Sequence, residues 1–100
     1  MTDQELLKLA AKAAGINIAQ GSRIAIDGKL WSPLTDDGDA LRLAVKLHMT
    51  VRCYMGNTCA QSTVPGGPNA YIDEMNMADP CAATRRAIVR AAAEIGKAMP

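Results

Sequence analysis

Phenylalanine is absent from this 100-residue chain, and Trp31, Tyr54 and Tyr71 are its only aromatic residues. A core of stacked rings is therefore excluded, and burial falls to Ala, Leu, Ile, Val and six Met. Net charge is equally scarce, since eleven basic and ten acidic side chains leave +1 at pH 7. So weak a field exerts no general pull on phosphate backbones or anionic lipid, which disfavours a nucleic-acid role. No apolar run nears the roughly 18–20 residues that span a bilayer, and no signal-peptide pattern precedes Asp3 and Glu5. The expectation is no membrane association. Cys53, Cys59 and Cys81 are an odd number that cannot all pair within one chain, so reduced thiols in a cytoplasm are expected. The length fits one domain, 1–100.

What is present reads as short, well-punctuated elements. Thr2 with Glu5 makes a capping box, Leu6, Leu9, Ala10 and Ala13 recur at helical spacing, and Gly15 supplies a left-handed stop. The period then changes. Ile16 and Ile18 alternate with polar or small residues, as do Ile24 and Ile26 after Gln20-Gly21-Ser22, which predicts two short strands in a hairpin. Asp27-Gly28 predicts a second turn leading into Leu30-Trp31. After Pro33, Thr35 or Asp36 can cap a second helix. Its stripe is Ala40, Leu43, Ala44 and Leu47, widened by Leu41 and Val45.

Thr50 to Tyr54 predicts a strand with Val51 and Cys53 on the core face, and Met55 to Thr58 a turn. Ala60 to Val64 and Ala70 to Asp73 are further strands, and 65–69 is irregular. From Cys53 to Ile72 no residue is charged, which marks either a mobile loop or a contact surface. Asp79-Pro80 opens the last helix, with Ala87, Ile88, Ala91, Ala92, Ile95 and Met99 as its buried stripe. On its outer face Arg90 and Glu94 are spaced for an i, i+4 pair. The order is α-β-β-α-β-β-α, with room for one more strand in the second group. Connections this short favour antiparallel strands. The expected fold is α+β, a small antiparallel sheet packed by three helices on one or both faces.

No pattern demands chemistry. Asp36-Asp37-Gly38-Asp39 lacks the ligand spacing and the closing Glu of a calcium loop, and first-turn carboxylates complement the helix dipole. His48, Cys53, Cys59 and Cys81 match zinc in number but not in spacing, so incidental cysteines are expected. Cys81 stands in a first helical turn, where a thiolate is favoured, which keeps a thiol or metal protein as one alternative. Arg85, Arg86 and Arg90 form a small basic patch without reader motif or interleaved aromatics. They define the other alternative, phosphate contacts to nucleic acid. Gly66-Gly67 lacks the strand-to-helix setting of a phosphate loop.

Three stretches carry a resemblance. They are Thr2-Asp3-Gln4-Glu5-Leu6-Leu7-Lys8-Leu9-Ala10-Ala11-Lys12-Ala13-Ala14-Gly15, the segment from Leu30-Trp31-Ser32-Pro33-Leu34-Thr35-Asp36-Asp37-Gly38-Asp39 on to Leu47, and Asp79-Pro80-Cys81-Ala82-Ala83-Thr84-Arg85-Arg86 on to Gly96. Together they resemble small uncharacterised bacteriophage and prophage proteins with a phage ABA sandwich domain. The resemblance covers most of the chain and is weakest from Cys53 to Met77. It implies a layered α/β/α sandwich, a prophage origin and no catalytic residues. The functional expectation is a non-enzymatic phage accessory protein without cofactor that binds a host or phage protein, with Tyr54 and Tyr71 on the contact surface.

Overall fold

The computed structural model describes residues 2–16, 25–26, 29–63, 69–75 and 78–99, with only the backbone at 25, 26, 29, 30, 63 and 69. The elements are α1 (Asp3–Ala14), β1 (Ala25–Ile26), β2 (Lys29–Leu30), α2 (Asp37–Lys46), β3 (Met49–Cys53), β4 (Asn57–Thr63), β5 (Asn69–Met75) and α3 (Pro80–Ala98). The fold is α+β, as expected. β1 and β2 pair antiparallel, Ala25 with Leu30 and Ile26 with Lys29, and β3, β4 and β5 form an antiparallel meander with β4 in the centre.

The helix signals act as read. Thr2 accepts from the Glu5 amide, and Gly15 takes up φ 72°. The Ile16 amide then donates to Ala11 O at 2.9 Å, which completes the helix stop. Ile16 therefore belongs to the end of α1 rather than to a strand. The remainder of that expected strand, and Ile24, lie outside the described residues. For α2 the cap is Asp36, whose carboxylate accepts from the Asp39 amide. Asp79 caps α3 in the same way, with Pro80 in its first turn.

α3 is the axle of the molecule. Ala87, Ile88, Ala91, Ala92 and Ile95 are buried as expected, but Val89, Ala93 and Gly96 are buried too, whereas Met99 is exposed. This second stripe, at i, i+4 and i+7, lies toward α1, and a Cβ built on Gly96 would come within 2.0 Å of Leu9 O. The sheet occupies another side of α3, and α2 packs against both α3 and β3. Small side chains on both partners allow this close packing: Ala10, Ala11 and Ala14 on α1, and Ala60 and Ala70 in the sheet.

Strand alternation sorts the sheet into two faces. Val51, Cys53, Thr58, Ala60, Ser62, Ala70, Ile72 and Glu74 point inward, and Thr58 and Ser62 are fully buried. Ser62 Oγ donates to Leu47 O at 2.9 Å, and Thr58 meets Thr84 of α3 at 3.3 Å, so both hydroxyls are satisfied. Thr50, Arg52, Asn57, Cys59, Gln61, Tyr71, Asp73 and Met75 point outward. Among the described residues all three helices lie on the inward side, so the layers run sheet, α3, α1.

Four expectations need correction. The charge-free stretch is no long loop, because most of it is the central strand β4 and part of β5. On β4 the inward positions Thr58, Ala60 and Ser62 are fully buried under the helices and have no place for charge. Asn69 is accordingly in β5, and the turn after β3 is tighter, with Tyr54 N donating to Asn57 O and Gly56 at φ 99°. Leu41 and Val45 do not widen the buried stripe of α2; they are 64% and 68% exposed. Arg90 bonds Glu74 of β5 instead of Glu94.

Candidate functional site

The Asp cluster before α2 is fully employed in structure. Asp36 caps the helix, Asp39 accepts from Ser32 N at 2.8 Å and from Arg42 at 2.7 Å, and Asp37 pairs with Arg85. Trp31 and Pro33, both buried, anchor the segment leading into it. Each of the three carboxylates thus has a partner within the fold.

The three candidate phosphate-binding arginines point to three different elements. Arg85 bonds Leu34 O at 2.9 Å and Asp37, Arg86 bonds Asp3 of α1 at 3.2 Å, and Arg90 bonds Glu74 of β5. Each clasps α3 to a neighbour, and each carries its own carboxylate. They do not converge on one basic surface.

The outward face of the sheet carries an organised polar network that no local sequence pattern signals. Asn57 and Cys59 on β4 lie beside Asp73 and Tyr71 on β5. Asp73 Oδ1 accepts from Cys59 Sγ at 2.8 Å, from Asn57 Nδ2 at 3.1 Å and from the Tyr71 hydroxyl at 3.4 Å. The Tyr71 hydroxyl also reaches Cys59 Sγ at 3.2 Å. This hydrogen bond to Cys59, with lesser contributions from desolvation and the Asp73 charge, pushes the Tyr71 phenol up to about 12. Tyr71 is therefore a tethered neutral ring with 56% of its surface open to solvent. Asp73 and Asn57 carry no motif in the sequence, although i, i+2 spacing at 57/59 and 71/73 places each pair on one strand face.

Tyr54 and Tyr71 are both exposed but do not form a pair. Tyr54 lies in the turn that ends level with Met75, while Tyr71 is four residues along β5, about 13 Å at the usual strand rise. Met55, in that same turn, and Met75 are almost fully exposed. Four large apolar side chains thus mark one end and the outward face of the sheet.

A second concavity lies on the helix side. α2, β3 and the first turns of α3 enclose a groove of about 350 Å³ lined by Ala40, Leu41, Val51, Pro80, Thr84 and Ile88, with Cys53 and Cys81 also in its wall. Cys53 faces inward as expected yet is exposed, because it lies at the strand end beside the groove. Cys59 lies in β4 rather than a turn and is buried on the opposite face of the sheet. His48, at φ 55°, ends α2 before the far end of β3. The zinc-like quartet is thus scattered, and among the described residues no three His, Cys, Asp or Glu side chains are grouped to hold a metal ion. No described helix is long and apolar enough to cross a membrane. No family model matches the chain, and neither a curated protein nor a solved structure is significantly similar to it.

Proposed function

We propose that this chain is a small non-enzymatic protein-binding module, of the prophage accessory kind its sequence resembles, and that the outward face of the sheet is its contact surface. The observation that carries this reading is the exposure of Tyr54, Met55, Tyr71 and Met75 on a sheet whose described helices all lie on the other side. Tyr brings apolar area with a polar tip, and Met adapts to irregular partners, so both are frequent contact residues. The tether from Tyr71 to Cys59 and Asp73 lowers the entropy lost when that ring is fixed against a partner. Phosphate binding through Arg85, Arg86 and Arg90 has less support, since each already holds a carboxylate.

The test compares immobilised wild type with a Tyr71→Ala/Met75→Ala variant in capture from bacterial lysate. A partner held by the wild type should fall by roughly 30-fold or more in affinity, the effect of removing an anchor worth about 2 kcal/mol. Equal capture by both proteins, or none by either, contradicts the proposal.

A further inference from the structure

We propose that Cys53 and Cys81 form a two-thiol site that binds one soft electrophilic centre, of the trivalent arsenic class, through both sulfurs at once. The two cysteines are 28 positions apart in sequence and lie on different elements, β3 and α3, yet both line the groove between α2, β3 and α3. Cys53 projects from the inward face of β3, with its Sγ 3.8 Å from Thr84 Oγ1. Cys81 precedes Thr84 by three residues on α3, the spacing that puts two side chains on one helix face with Cβ atoms about 5–6 Å apart. Thr84 therefore lies beside the Cys53 sulfur and on the helix face that carries Cys81. Both residues are exposed, both thiols are reduced, and each sulfur turns on a single side-chain torsion.

Soft thiolate donors select soft centres over hard ones such as magnesium or calcium. With an organoarsenic oxide the reaction balances without an oxidant. Two S–H bonds break and two arsenic–sulfur bonds form, while the arsenic-bound oxygen leaves as water with the two thiol protons. The apolar wall of Ala40, Leu41, Val51 and Ile88 provides room for the organic substituent. Cys59 is an internal control, since its sulfur lies on the other face of the sheet among Asp73, Tyr71 and Asn57.

The probe is phenylarsine oxide at one equivalent per folded chain, followed by differential alkylation and peptide mapping. Titratable thiols should fall from three to one, with Cys53 and Cys81 blocked and Cys59 open. The adduct should withstand a millimolar monothiol and yield to a 1,2-dithiol, because the second sulfur binds intramolecularly at high effective concentration. Cys53→Ser and Cys81→Ser should each lose that resistance, and Cys59→Ser should keep it. Three titratable thiols after treatment, blockage of Cys59, or a monothiol-resistant adduct in either groove variant overturns the proposal. The wild-type map alone decides the pairing, so the result does not depend on the variants folding.

Discussion

At Gly96 the distance between two helices is set by a missing side chain. A Cβ there would sit 2.0 Å from Leu9 O, a backbone atom that cannot move aside without shifting α1. Gly96→Ala should therefore destabilise the protein by about 3 kcal/mol, at the upper end of overpacking costs, as read by urea unfolding. His48 poses the converse case, a side-chain-bearing residue at φ 55°. His48→Gly should stabilise by about 0.5–1 kcal/mol, since relief of left-handed strain exceeds the entropy Gly adds to the unfolded chain. Tyr71 gives a pH signature. Its proton is held more tightly in the folded state, with the phenol raised from 10.0 to about 12. The stability this supplies is complete below pH 10 and lost as pH climbs through about 12. Phenolate absorbance should show one late-titrating tyrosine, and Cys59→Ala, which removes the main cause, should bring it back toward 10.0.

Among the elements, α3 shows how one helix is held from several sides. Arg85 is largely covered and donates to both a carbonyl and a carboxylate, whereas Arg86 and its partner Asp3 are well solvated. Arg85→Met should cost about 2 kcal/mol, and Arg86→Met well under 1, in parallel thermal melts. The helices were legible in the sequence because caps, stops and stripes are local signals: Thr2, Gly15, Asp36 and Asp79-Pro80 all act where they were read. The strands were legible as elements but not in their extent. The bounds of β4 and β5 depend on pairing with each other, which no local pattern records. The second buried stripe of α3 was missed for a related reason. Val89, Ala93 and Gly96 look unremarkable until α1 is seen to lie against them.

For the molecule as a whole, the informative outcome is that a charge-free stretch proved to be the middle of the sheet. Removing Cys53 to Ile72 would delete the central strand rather than a dispensable loop, so surface variants are the appropriate test of binding. The candidate site was half legible. Tyr54 and Tyr71 are exposed as the contact reading requires, but the network that fixes Tyr71 and the placement of Cys53 and Cys81 in the wall of one groove depend on register and helix placement. Among the described residues the helices cover the sheet on one side only, and the binding role depends on this. Hydroxyl-radical footprinting of the protein alone tests this directly. Tyr71, Met75, Tyr54 and Met55 should oxidise rapidly while Trp31, 8% exposed, stays protected. Protection of Tyr71 and Met75 to the level of Trp31 would contradict the open face and the binding role assigned to it.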